Sequence, residues 1–484
     1  MHCQGIREYD RLAYICLFIY LSISVYVQAR SFLIMPSVSN DPNSSVESVQ
    51  DQQKSSSRKR PWSLFQLPRN VYLLLTFTLG KGFQLSIANL TLNYYVHSLG
   101  FKPDFIGIFT AMSAIGAMIA AVPVGLLADR WGRKPVLLLT AFLSPLFLAL
   151  IALATSAPWL LILSFIQGLV STAYWVSNLP LLSESTTEEQ RVGVLAMNSF
   201  LLLGIGSLGN LLGGFIPELA GSLLHVSAAS ALALRWGVFT ASLFTFVFGL
   251  PLWFLQSAPK SSFSVAGAAG VMDLEANDKI VGEAVGGTAS NHQQPIPLLL
   301  FGKLLLPDLL FTMGEGAVVA LIQVYFVLRF HLLPGPLGVI FTVSGVVGGL
   351  FALSAPLFVN RWGKLRIITL VQYISAPLMV LIGIAPVLPL AVAGEYTRSF
   401  LRTLIEPVYA AFEMEQVTPK LRGTLAGCYS VTWSLGFSFG PAIAGWLQTN
   451  VNLTMSFIFG ACCLLIAPSL LLLFFGKKSS LQNA

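Results

Sequence analysis

Seven charged side chains lie inside apolar stretches of helix length: Lys81, Asp308, Glu315, Glu395, Arg398, Arg402 and Glu406. At the bilayer centre each costs roughly 2.5–3.5 kcal/mol, so seven facing lipid would cost on the order of 20 kcal/mol. They are therefore expected to face a bundle interior and pair. Positions 395, 398, 402 and 406 fall on one stripe of a helix, extended by Tyr409. Glu395–Arg398 and Arg402–Glu406 are natural i,i+3 and i,i+4 partners. Lys81, Gln84 and Ala88 share another face. Three cations against four carboxylates leave one acid without a basic partner. Such an acid, cut off from water, can exchange a proton near neutral pH or hold a cation. Glu315 is the expected one, because Gly314 and Gly316 leave room beside it. Asp308 follows Pro307 near a span end and is expected to be solvated. The same pattern also suits paired charges that only fix helix register.

The elements that position these residues come from a repeat. Residues of the second half match the first at an offset of 231 without a gap: Gln84 falls on Glu315, Tyr94 on Tyr325, Gly107 on Gly338, Gly209 on Gly440 and Gly214 on Gly445. Twelve apolar spans of at least roughly 18 residues lie near 71–96, 104–128, 134–154, 157–181, 193–216, 235–256, 303–328, 337–359, 365–386, 389–412, 423–447 and 453–476. With 55% hydrophobic and 10% charged residues and a mean hydropathy of +0.75, the chain is built for lipid; soluble domains carry about 25% charged residues. Two similar halves that rock about a central site are a common route to alternating access.

The net charge of +7 is a topology signal. With the segment before the first span in the cytoplasm, 19 Lys and Arg fall inside and three (Lys102, Arg235, Arg329) outside. Both ends of the twelve-span body are thus expected in the cytoplasm, with anionic lipid rather than nucleic acid as the partner of the basic loops. The predicted organisation is an N-terminal tail 1–69, a six-helix bundle 70–256, a small-residue cytoplasmic linker 257–296, a second bundle 297–476 and a tail 477–484. Within the first tail, 12–28 reads as an extra apolar segment or a signal-like stretch, or the chain starts at Met35, leaving a polar tail. The five cysteines lack metal-site spacing, and the five histidines are scattered, so neither an enzyme nor a cofactor is indicated.

Gly125-Leu-Leu-Ala-Asp129-Arg130-Trp-Gly132-Arg133-Lys134, between spans two and three, resembles the signature loop of the major facilitator superfamily. A degenerate copy containing Arg361 stands between spans eight and nine. With twelve spans and a six-plus-six repeat, the resemblance covers roughly 70–476. It implies an all-α integral membrane fold of two six-helix bundles related by a pseudo-two-fold axis. It also implies that spans one, four, seven and ten line a central cavity and that this loop is a conformational gate. Gly125 is expected to let helices approach closely and Gly132 to permit a tight turn. Asp129 is expected to bond Arg133 or a helix N-terminus, while Glu184 with Arg191, and Glu415 with Arg422, form cytoplasmic latches; the alternative is that these charges only anchor loops. Asn360 replaces the acid of the second copy, Asn210 stands where family exporters carry Pro, and Ser164 where many proton-coupled members carry Arg.

The expected activity is secondary transport by a monomer in the plasma membrane, with export of small amphipathic compounds coupled to protons. Uptake or facilitated diffusion of a small polar solute, a sugar or an organic anion, is the alternative, and a transport-fold sensor a remote one. The expected substrate or proton pathway runs through Lys81, Gln84, Glu315, Glu395, Arg398, Arg402 and Glu406.

Overall fold

The computed structural model describes residues 67–256, 298–352, 363–418 and 421–482. Among them every regular element is helical. The first bundle holds α1 (Arg69–Ser98), α2 (Pro103–Trp131), α3 (Arg133–Leu153) and α4 (Ala157–Glu184). It continues with α5 (Glu188–Ser199, then Gly209–Leu224, joined through a π turn and a 3-10 turn) and α6 (Ala231–Gly249). The second holds α7 (Leu298–Val319, broken, then Ile322–Phe330), α8 (Pro334–Ala352) and α9 (Lys364–Ile384), followed by α10 (Leu388–Glu415), α11 (Arg422–Asn450) and α12 (Met455–Gln482). Nine described helices are long and apolar enough to cross a membrane. α10 and α11 are equally long, but their polar side chains dilute the hydropathy. Those polar groups are the ones the bundle uses inside. The expected N-terminal segment 12–28, Met35, the linker 257–296 and Arg361 lie outside the described residues.

The repeat is visible in the contacts. Across the bundles, the Cβ position of Gly107 in α2 points at the Pro441 carbonyl of α11, and that of Gly338 in α8 points at the Asn210 carbonyl of α5. These are the same pair exchanged by the offset, 107 with 338 and 210 with 441. Gly445 against Pro103, and Gly214 against Pro334, repeat the exchange. Two hydrogen bonds obey it as well: the Asp104 amide donates to Thr449 Oγ1 and the Gly335 amide to the Glu218 carboxylate, each at 3.0 Å. The register slips once. The hydroxyl that donates to the end of α3 belongs to Tyr95, 2.8 Å from the Ala152 carbonyl, whereas its counterpart in α7 is Tyr325, 2.7 Å from Ile382 O. The break in α7 at Ala320–Leu321 is the local departure from the gapless repeat.

These cross-bundle contacts gather at the face where α1 ends and α2 begins, the far face. There one hydrophobic core is shared by both bundles, joining Tyr95, Phe109 and Leu148 to Val324, Tyr325 and Phe457. Toward the opposite, basic face the core divides. One cluster, around Val71, Leu137 and Leu182, belongs to the first bundle; another, around Ile368, Leu404 and Leu471, belongs to the second. Among the described residues the apolar core is thus shared at the far face and divided toward the basic one.

The signature loop differs from its expected wiring. Gly132 and Gly363, mates under the offset, do adopt positive φ, 93° and 78°. Gly125 is buried, yet a Cβ built there meets nothing within 4 Å, because the close approaches of α2 occur nearer its other end, at Gly107 and Gly116. Arg133 pairs with Glu184, not Asp129, and Lys364 pairs with Glu415. Asp129 and Arg130 stand exposed. Arg191 is half-buried with its Nε unpartnered; the side chain of Arg422, at the start of α11, lies outside the description. Both ion pairs span 51 residues and stay within one bundle, joining α3 to α4 and α9 to α10. Neither latches one bundle to the other.

Gly107→Ala and Gly338→Ala each push a methyl group into a facing carbonyl, so either substitution is expected to spring the far face. Spin labels at Ser98 and Leu333 should move apart by several ångströms in pulsed dipolar measurements on the reconstituted protein. Unchanged distances would show that the glycines are not what sets the closure.

Candidate functional site

The stripe on α10 meets α7 in a buried ionic cluster. Arg398, only 2% exposed, holds Glu395 through two hydrogen bonds, Nε–Oε2 at 2.9 Å and Nη2–Oε1 at 3.0 Å. Its Nη1 reaches across to Glu315 Oε2 at 2.8 Å. Glu395 and Glu315 are themselves buried. A planar guanidinium serves this geometry because its fork presents one edge to each carboxylate. The expected Glu395–Arg398 pair is present. Arg402 turns toward Glu315, at 4.0 Å, and makes no ion pair with Glu406. Glu315 is thus not the acid left over: two arginines face it.

The acids without a basic partner are elsewhere. Asp308 is 7% exposed, so it is not solvated as its position near a span end suggested; α11 covers it, and Thr432 Oγ1 donates to its carboxylate at 2.5 Å. Glu413, 5% exposed, was not anticipated at all. The sequence reading ended the tenth span at 412, where hydropathy falls, but α10 continues to Glu415. Its repeat mate is Leu182, and that contrast was the available signal. Asp308, Glu315, Arg402, Glu406 and Glu413 all line one cavity of about 180 Å³, walled by α7, α10 and α11. Phe311 stacks on Tyr409 with ring centroids 5.7 Å apart, and Trp433 on Phe437 at 4.3 Å, completing an aromatic wall.

Lys81 does not join this cluster. It is 1% exposed in the first bundle, its Nζ over the Tyr174 ring at 5.7 Å. Removing Lys81 from the count and adding Glu413 leaves five carboxylates (Asp308, Glu315, Glu395, Glu406, Glu413) against two arginines, an excess of three. In the first bundle the positions of Glu315, Arg398 and Glu395 are occupied by Gln84, Gln167 and Ser164. Gln84 and Gln167 donate to the shared Ser144 hydroxyl at 3.3 and 3.0 Å, a neutral copy of the same junction. Beside it, Thr78 donates to Asn198 at 2.7 Å and Asn178 to Asn198 at 3.1 Å, where the second bundle has Leu309, Tyr429 and Tyr409. Charge has accumulated in one copy of a duplicated scaffold.

Comparison with known proteins agrees with this architecture. Residues 72–397 match the family model of the Major Facilitator Superfamily. Solute carrier family 22 member 2 of Mus musculus is 31% identical over 157 residues, 32% of this chain and 25% of the relative; the chain thus spans about a quarter of the length of that relative. Multidrug resistance protein MdtG of Proteus mirabilis (strain HI4320) is 25% identical over 416 residues, 81% of this chain and 92% of the relative. Among solved structures, a bacterial homologue of the human lysosomal transporter Spinster, in an inward-facing and occupied conformation, superposes with a TM-score of 0.66 at 12% identity, covering 83% of this chain and 95% of the other. The chain belongs to the major facilitator superfamily.

Removing Arg398 strands two buried carboxylates, whereas Glu315→Gln leaves the two-bond Arg398–Glu395 pair intact. Arg398→Leu is expected to destabilise by about 3–5 kcal/mol and Glu315→Gln by clearly less, read from thermal unfolding in detergent. Replacing Glu315, Glu395 and Arg398 together by leucine should recover most of that loss. Equal losses for the two single variants would mean the cluster does not carry its energy through Arg398.

Proposed function

We propose that this transporter exports small amphipathic compounds in exchange for protons, with its basic face in the cytoplasm and Asp308 and Glu413 as the acids that exchange. The observation that carries the reading is the cavity in which two buried carboxylates have no basic partner while Glu315 does. A carboxylate cut off from water and without a counter-charge is costly. Each of these two therefore holds a proton or a cation whenever the cavity is shut from water, which ties occupancy to opening. The Lys and Arg bias of the loops supports the orientation, and the core divided toward the basic face fits an opening to the cytoplasm. The similarity to a multidrug resistance protein over 81% of the chain supports export. Arg133–Glu184 and Lys364–Glu415 hold the helix pairs of each bundle at the cytoplasmic face, so the bundles shift as units.

The test is energised dye efflux from cells that lack their own pumps. Wild-type efflux should collapse with a proton uncoupler, and Asp308→Asn or Glu413→Gln should lower it by roughly tenfold or more at unchanged expression, while Lys81→Gln leaves its uncoupler sensitivity in place. Efflux that survives both acid substitutions would move the proton site elsewhere. Accumulation of solute in place of efflux would favour uptake of a small polar compound.

A further inference from the structure

The cavity wall says more about the ligand than that it is amphipathic. Its acids stand where the first bundle has Phe77, Trp175 and Leu182, the mates of Asp308, Glu406 and Glu413. They are therefore not needed to fold this scaffold, which manages with apolar side chains at the same places. On the wall the Tyr409 hydroxyl is buried with no hydrogen-bond partner, and Glu413 faces the Tyr429 hydroxyl and the Asp308 carboxylate. Buried polar groups left open in this way are expensive unless something fills them. Around them lie the faces of Phe311, Tyr409 and Trp433; Trp433 is 54% exposed despite its size. Carboxylates and aromatic faces both attract a cation, the rings through their negative faces. The space of about 180 Å³ is on the order of the roughly 150 Å³ cavity that takes one benzene ring, so a single ring fits.

Resting on the transporter reading, we infer that the substrate is a compact organic ammonium ion carrying a single aromatic ring, and that it is held by the second bundle alone. Its charged head sits between Asp308 and Glu413, within reach of the open Tyr409 hydroxyl. Its ring packs against Phe311 and Trp433. Arg402, over Glu315 at the side of the cavity, repels a second cation and keeps Glu315 out of the exchange. No residue of the first bundle lines this cavity; its polar side chains at the matching positions, Thr78, Asn178 and Asn198, bond one another, with Asn178 Oδ1 left open.

The purified full chain in detergent, with no gradient, tests this by titration calorimetry with benzyltrimethylammonium, whose charge is fixed, against benzyl alcohol and benzenesulfonate. The cation is expected to bind at least roughly tenfold more tightly than the neutral compound, about 1.4 kcal/mol, with no binding of the anion. Asp308→Asn and Glu413→Gln should each remove most of that preference. Should either variant fold poorly, Trp433→Ala serves instead and should weaken the cation while leaving the anion unbound. Binding of benzenesulfonate as tight as that of the cation, or cation binding untouched by all three substitutions, overturns the inference. Uncoupler-sensitive efflux of neutral or anionic dyes by a protein that ignores the cation would refute the substrate class and spare the transport reading. Cation binding with efflux blind to the uncoupler would do the reverse.

Discussion

A guanidinium fixed between two carboxylates, deep in an apolar bundle, is the constraint on which the second half of this molecule depends. Arg398 cannot sit in hydrocarbon unpaired, and neither can Glu315 or Glu395. Satisfying all three at 2.8–3.0 Å fixes the rotation and height of α7 against α10. That registry then decides what else the two helices show each other. About two turns along α7, Asp308 falls under Thr432 of α11; farther along α10, Glu413 enters the same space. The paired charges consume both arginines of the stripe, and the remaining acids are left to whatever occupies the cavity.

The first bundle shows that the cluster is an addition to the scaffold. Gln84, Ser144 and Gln167 join α1, α3 and α4 by two neutral hydrogen bonds at the positions where the second bundle has Glu315, Ser375 and Arg398. Neutral bonds of this kind contribute about 1 kcal/mol each, so charge is not needed to pack the helices. At this junction the charge stands in one copy only, beside the cavity of the second bundle.

Most of the fold was legible because hydrophobic thickness and repetition are both written in single residues. Twelve spans, the repeat mates Gly107 and Gly338, the turn at Gly132 and the Glu395–Arg398 pair need only helical periodicity, glycine's backbone freedom and an offset of 231. The site was legible in its members but not in its pairing. Glu315 was selected as the lone acid because spacing along one helix says nothing of what a neighbouring helix presents, and Arg398 reaches it from 83 residues away. Glu413 was missed because a span's end was placed where hydropathy falls, and a buried acid is itself what makes it fall. Lys81 was counted with the acids because sequence gives its depth in the membrane and not the bundle it faces.

The distribution of strong and weak contacts fits a machine made of two rigid parts. Every ion pair among the described residues lies within one bundle: Arg133–Glu184 in the first, and Lys364–Glu415 with the Arg398 and Arg402 contacts in the second. Between bundles the far face is held by glycine-to-carbonyl approaches and by hydrogen bonds such as Asn93 to the Ala320 carbonyl at 2.7 Å, Tyr94 to Leu332 O at 3.3 Å and the two helix-start amides at 3.0 Å. Van der Waals contacts are individually small and are lost steeply over a fraction of an ångström, and each freed amide or carbonyl at that face can bond water. A seam of this kind can open without stranding a charge in lipid. Had Arg398 bridged the two bundles, every cycle would have had to unmake a buried ion pair, which costs several kcal/mol. Keeping the charges inside one bundle leaves the seam between the bundles free of buried ion pairs among the described residues.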